Sequence, residues 1–266
     1  MSQEPAGEPP PIVLDRVVKR HAGAPYPLDL GDQLVTLERG RFTALIGGSG
    51  AGKSTLLKLI NRLIEPDSGE VRFEGQPAGA LPGPELRRRI GYVFQGVGLF
   101  PHLSVAENIG VTPRLLGWAP PRIAARVAEL LELVALPQAY GPRAPAQLSG
   151  GERQRVGVAR ALAAEPKVML LDEPFGALDA VVREALGAEY RALHERLGLT
   201  SLMVTHDVLE AALLADRILV LHEGRLIADA APPELLRERD NPIVRALFET
   251  ARTQAARVAA MAGEAP

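Results

Sequence analysis

Cysteine is absent from all 266 residues, which removes disulfides, thiolate nucleophiles and zinc–sulfur sites together and suits a reducing compartment. Long apolar runs are missing too. None approaches the roughly 20 residues of a membrane span, and the acidic, proline-rich start from Met1 to Pro11 has no apolar segment of the kind a secretory signal needs. Charge of one sign is also lacking: 30 Lys and Arg against 32 Asp and Glu leave a formal net charge of −2, so a broad basic face for nucleic acid is not expected. Glycine (26) and proline (23) together fall short of the roughly 25–30 % that marks a low-complexity polymer. A chain that is soluble by itself and cytoplasmic is expected. Its length fits one large α/β domain, or one with an inserted subdomain, able to bury roughly 70–75 % of its unfolded surface.

Residues 1–11 cannot build a core and read as a disordered arm. Short apolar pieces at Ile12 to Leu14, Leu34 to Leu37 and Val71 to Phe73, punctuated by Gly, Pro and Asp, suggest small antiparallel strands. Phe42 to Ile46, Ile90 to Phe94, Val168 to Leu171 and Ser201 to Val204 differ: they are compact apolar runs separated by long helical stretches, the pattern of buried parallel strands, with Ile218 to Leu221 as a possible fifth. Leu56, Leu59, Ile60, Leu63 and Ile64 share one helical face after the first of these. Ile123, Val127, Leu130, Leu131 and Val134 share another, opposite Arg122, Arg126, Glu129 and Glu132. Both stripes read as core packing. The second lies in a long insertion, about 96–165, expected to be a helical subdomain. The main domain is placed at 12–248, and residues 249–266 are expected to be a C-terminal tail after a terminal helix.

In open α/β sheets ligands bind beyond the carboxyl ends of the strands, and the residues found there are chemically coherent. The first parallel strand runs into Gly47-Gly48-Ser49-Gly50-Ala51-Gly52-Lys53-Ser54-Thr55, a complete G-x-x-x-x-G-K-[ST] loop opening a helix. Its glycines let backbone N–H groups turn toward phosphate oxygens at a positive helix end. Lys53 suits the β- and γ-phosphates and Ser54 a Mg²⁺ ion. The third strand ends in Asp172-Glu173-Pro174, where Mg²⁺ accounts for Asp172 and a hydrolytic water for Glu173. Gln95 and His206 end the second and fourth strands and can point at the same γ-phosphate region. A separate segment, Leu148-Ser149-Gly150-Gly151-Glu152, offers further free N–H groups at a helix start. It also reads simply as a capping box, with Ser149 and Glu152 at the required spacing.

With these motifs in order the sequence resembles the ATP-binding cassette family, over about residues 12 to 248. Gly47 to Thr55 looks like its Walker A loop and Gln95 its Q-loop glutamine, here also a metal candidate. Leu148 to Glu152 looks like its signature motif, Val168 to Glu173 its Walker B, Ala177-Leu178-Asp179 its D-loop and His206 its switch histidine. The fold implied is a P-loop NTPase with an antiparallel β subdomain and an inserted helical subdomain. The function implied is ATP hydrolysis with Mg²⁺, by a head-to-tail homodimer in which Ser149 and Gly151 of one copy contact the nucleotide held by Lys53 of the other.

The resemblance further implies a separate integral membrane permease, an extracytoplasmic solute-binding protein, and a place on the cytoplasmic face of the cell membrane. Residues 60–66, 97–102 and 112–118 look most like importers of quaternary-amine osmoprotectants such as glycine betaine and choline. An importer of another small solute such as an amino acid, or a soluble cassette acting on nucleic acid or the ribosome, stands as the alternative. Three departures stand out. Glu152 occupies a position usually held by Gln, Gly48 replaces a common proline, and His21, with Tyr26 close behind, stands where an aromatic commonly stacks on adenine. Relatives in this branch often carry C-terminal CBS domains, and the 18 residues after Phe248 are too few for one, so no regulation through such a module is expected.

Overall fold

The computed structural model describes residues 8–21, 23 and 25–261. The expected disordered arm therefore lies mostly outside the described residues. Of its last four, Glu8 pairs with Arg39 at 3.1 Å and the Pro11 carbonyl accepts the Glu74 N–H at 2.8 Å, just before the first strand begins.

Two sheets organise the chain. The first is antiparallel and holds β1 (Ile12–Lys19), β2 (Leu28–Asp29), β3 (Leu34–Leu37), β5 (Ser68–Phe73) and β6 (Gln76–Pro77). Its register matches one apolar row to another, because Ile12 faces Leu37 and Phe73 while Leu14 faces Val35 and Val71. All six are buried, as the two-residue period of a half-buried sheet requires.

The second sheet has the order β11-β10-β4-β9-β8-β7. β4 (Phe42–Gly47), β7 (Ile90–Val93), β8 (Val168–Asp172), β9 (Thr200–Val204) and β10 (Arg217–His222) run parallel, and β11 (Arg225–Ala230) closes the edge antiparallel. Alternate residues feed two separate cores. Ala44, Ile46, Leu171 and Met203 pack with the helices α5 (Pro120–Leu133), α6 (Gly150–Leu162) and α7 (Ala180–Leu197), whereas Leu45, Leu170 and Leu202 pack with α1 (Lys53–Ile60) and the antiparallel sheet. Both faces are covered, so these strands read as unbroken apolar runs.

α2 (Gly83–Arg89) precedes β7, and α3 (Val105–Ile109), α4 (Val111–Leu115), α5 and α6 all lie between β7 and β8. α8 (Val208–Leu214), α9 (Pro232–Leu235) and α10 (Pro242–Met261) complete the chain. Among the described residues no helix is long and apolar enough to cross a membrane. The α/β class, the antiparallel subdomain and the helical insertion are those expected from the sequence.

Three local expectations change. α1 stops at Ile60, because Asn61 is buried and its Oδ1 accepts the Leu63 N–H at 3.2 Å, while Arg62 takes a positive φ of 52°. Leu63 is therefore exposed instead of lying on the helix's apolar face, and Ile64 packs only after the turn. On α5 the apolar stripe holds, but Arg126 is not a solvated partner of it: its guanidinium donates to the Leu162 carbonyl at 2.9 Å and to Glu129 at 2.7 Å. Beyond Phe248 the terminal helix continues to Met261, through most of the segment read as a tail, and residues 262–266 lie outside the described residues.

Candidate nucleotide site

The carboxyl ends of β4, β8 and β9 meet at a cleft of about 580 Å³ lined by residues 49–55 together with His21, Tyr26, Lys58, Glu173 and His206. Its floor is built by glycines. Gly50 and Gly52 have φ of 76° and 103°, and a Cβ on Gly47 would collide with the Leu221 carbonyl of β10. Gly52 caps α1 with no side-chain hydrogen bond, so the first N–H groups of that helix stay available to an anion. Lys53, 9 % exposed, donates from Nζ to the carbonyls of Gly47 at 2.7 Å and Gly48 at 2.9 Å. Burial pulls its ammonium below the usual lysine range, against the opposing pull of Glu173 and Asp172. Ser54 is exposed in the cleft, and Thr55 Oγ1 lies 3.3 Å from His21 Nε2.

Glu173 is the meeting point. It follows β8 in a left-handed conformation, φ 44°, fixed by its N–H on the Val204 carbonyl of β9 at 2.9 Å. Gln95 Nε2 donates to Glu173 Oε2 at 3.1 Å, and His206 Nδ1 lies 3.5 Å from the same oxygen. Three strand ends thus converge on one carboxylate. Asp172 is half-buried, which pushes its carboxyl above the usual range; the hydroxyl of Tyr92, donating at 3.3 Å to Oδ2, opposes this, while Glu173 adds to it.

Ser149, Gly150, Gly151, Glu152 and Asp179 do not enter the Lys53 cleft of their own chain. Ser149 caps α6: its Oγ accepts the Glu152 N–H at 3.2 Å, and Glu152 Oε2 accepts the Ser149 N–H at 2.7 Å. Glu152 Oε1 accepts the Tyr140 hydroxyl at 3.0 Å. The carboxylate is turned onto its own helix start, and these bonds hold it below the usual glutamate range. Gly150 reaches only a neighbouring hollow of about 300 Å³, shared with Gln95 and Glu173. Asp179 is exposed and caps α7 through the Val182 N–H at 3.0 Å.

Beside the cleft, a groove of about 650 Å³ runs between the sheet edge and the helical insertion, walled by Tyr92, Phe94, Phe100 and Arg160 among others. Arg160, 8 % exposed, sits in the last turn of α6 and donates to the carbonyls of Val97 and Gly98, both at 2.7 Å. Those residues and Gly96 all have positive φ. The sequence reading missed Tyr92, Lys58 and Arg160. Tyr92 had a usable signal, since it stands two residues before Phe94 and three before Gln95 on the same strand path.

The family model described as ABC transporter matches residues 30–176, more than half of the chain. The chain belongs to that family. This cassette is 50 % identical over 219 residues to the glycine betaine uptake system ATP-binding protein YehX of Escherichia coli, covering 82 % of this chain and 71 % of that protein. It is 44 % identical over 233 residues to the glycine betaine/carnitine/choline transport ATP-binding protein OpuCA of Bacillus subtilis, covering 88 % of this chain and 61 % of that one. A sulfate/thiosulfate import ATP-binding protein, CysA of Gloeobacter violaceus, is 46 % identical over 242 residues, 91 % of this chain and 69 % of that one. Among solved structures, the dimeric cassette MJ0796 in a post-hydrolysis state with ADP and Pi aligns with a TM-score of 0.72 at 32 % identity, covering 83 % of this cassette and 98 % of that chain.

Proposed function

We propose that this cassette binds and hydrolyses ATP as the motor of an importer for quaternary-amine osmoprotectants such as glycine betaine and choline. The observation that carries the ATPase reading is the convergence of Gln95 and His206 on Glu173 Oε2 beside the Lys53 cleft. The names of the two relatives above support the solute class.

The donor set fits a nucleoside triphosphate. The glycine cradle offers backbone N–H groups to the phosphates, and Lys53 exchanges its loop carbonyls for the β- and γ-phosphate oxygens. His21 and Tyr26 both line the cleft where the base would lie. The donors also fit Mg²⁺, which is ordinarily held by one or two protein groups plus phosphates: Ser54 and Asp172 are at hand with Gln95 near, and among the described residues no three His, Asp or Glu form an all-protein cage. Mg²⁺ would neutralise charge on the phosphates during transfer. Glu173 orients the attacking water and takes its proton as oxygen bonds to the γ-phosphorus and ADP leaves with the bridging oxygen. Gln95 and His206 hold that carboxylate in place.

In a head-to-tail pair, Ser149 and Gly151 of one copy meet the γ-phosphate held by Lys53 of the other. The dimeric solved structures support this reading. In this reading the aromatic groove beside Gln95 meets a membrane permease, with the cassette on the cytoplasmic face of the membrane. An extracytoplasmic solute-binding protein would complete the system. Uptake of radiolabelled glycine betaine and choline under osmotic upshift, in cells carrying either the wild-type or the Lys53→Ala chain, tests the reading. Collapse of uptake with Lys53→Ala supports it. Unchanged betaine and choline uptake with lost sulfate uptake transfers the motor to the oxyanion class named by the CysA relative.

A further inference from the structure

Tyr92 belongs to two places at once. Its ring walls the groove beside Gln95 and lies 4.4 Å, centroid to centroid, from Phe94 in the same groove. Its hydroxyl donates to Asp172 Oδ2 at 3.3 Å. The sheet explains how. Tyr92 is paired with Leu170 on the neighbouring parallel strand, and Asp172 stands two residues further along β8 on the same face. A long aromatic side chain spans that diagonal where a shorter one would not. Among the described residues no basic side chain hydrogen-bonds Asp172; Lys58 and Lys53 act on it through their charge. The phenol is therefore the group that fixes the direction of this half-buried carboxylate.

We propose that Tyr92 is a positioning residue that ties the state of the groove to the metal-holding carboxylate. Resting on the ATPase reading above, the inference is that an occupant of the groove pressing on Phe94 moves the stacked Tyr92 ring, and that the hydroxyl carries this to Asp172. Phe94 follows Val93, whose partner is Leu171, so the chain places it beside Asp172 itself. It is 47 % exposed, and a partner can reach it.

The test is equilibrium binding of ATP to the purified chain across a Mg²⁺ titration, with no turnover read. Tyr92→Phe keeps the ring and removes only the hydroxyl, and Phe94→Ala removes the groove-side ring that packs on Tyr92. Outer-shell partners of metal ligands typically matter by 10–100-fold in metal affinity. We expect Tyr92→Phe to raise the Mg²⁺ concentration for half-maximal enhancement about tenfold while leaving metal-free ATP binding unchanged, and Phe94→Ala to shift it severalfold in the same direction. In an Asp172→Asn background neither variant should add a further shift, which a merely structural effect would. If either single variant stays within twofold of wild type, the proposal is overturned. If Tyr92→Phe melts early, the half-point of Phe94→Ala decides, and a value within twofold of wild type overturns the proposal. Wild type that binds no ATP at all sinks the ATPase reading instead, so the two failures are distinguishable.

Discussion

Two helix starts in this chain solve the same electrostatic problem in opposite ways. α1 begins at Gly52, a left-handed residue without a side-chain acceptor, and leaves its N–H groups to whatever anion enters the Lys53 cleft. α6 begins at Ser149 and satisfies itself, with Ser149 and Glu152 exchanging bonds and Tyr140 holding the second carboxylate oxygen. An open start needs a ligand for its polarity to be answered. A capped start is complete without one, and can still present an exposed Ser149 and a glycine pair to a neighbouring molecule. The glutamate that departs from the family's usual glutamine is thus absorbed as a cap and not aimed outward as a charge.

The comparison breaks most visibly at turnover. Glu173→Gln should lower ATP hydrolysis by at least ~10²-fold, since general-base contributions lie near 10²–10⁴, while ATP binding persists. With Mg-ATP this variant should elute as a dimer by size exclusion. Adding Ser149→Arg should return it to a monomer, because the capped start of one copy would then meet the open start of the other with an obstructing side chain; a dimer that survives removes the two-start contact. A smaller effect is expected from the cap itself. Ser149→Ala should destabilise the fold by about 1 kcal/mol, read as a drop of about 2–4 °C in thermal midpoint for a chain of this size, whereas no single side chain at the α1 start could be removed with that result.

Acid titration gives the smallest and most selective difference. Glu152 has its folded carboxyl held below the ordinary range by bonds to Ser149, so its stabilisation is present above the unfolded value near 4.3 and is lost as pH falls through the lowered folded value. Wild type should exceed Glu152→Gln by about 1–2 °C in thermal midpoint near neutrality. The gap should close below about pH 4. A gap that persists into acid would mean that charge plays no part in the cap.

Much of this arrangement was legible before the fold was known. Compact apolar runs announced the parallel strands because both faces are buried, and the rule that ligands gather beyond strand ends brought Lys53, Asp172, Glu173, Gln95 and His206 to one edge. The spacing of Ser149 and Glu152 announced the cap. Periodicity failed where a side chain intervened in the backbone: Asn61 accepts the Leu63 N–H and ends α1 a turn early, which no hydrophobic count reveals. The tie between Tyr92 and Asp172 escaped for another reason, although the place of Tyr92 just before Phe94 and Gln95 was readable. Asp172 is 80 residues away along the chain, and only the strand pairing brings the phenol to the carboxylate.

α6 carries Ser149 at one end and Arg160 near the other, and Arg160 grips the backbone just past Gln95. A thirteen-residue helix is about 20 Å long and does not bend within so few turns. Ser149 and the loop after Gln95 are therefore joined by one short rod: the cap that completes the start of α6 and the guanidinium that holds the loop backbone stand at opposite ends of the same element.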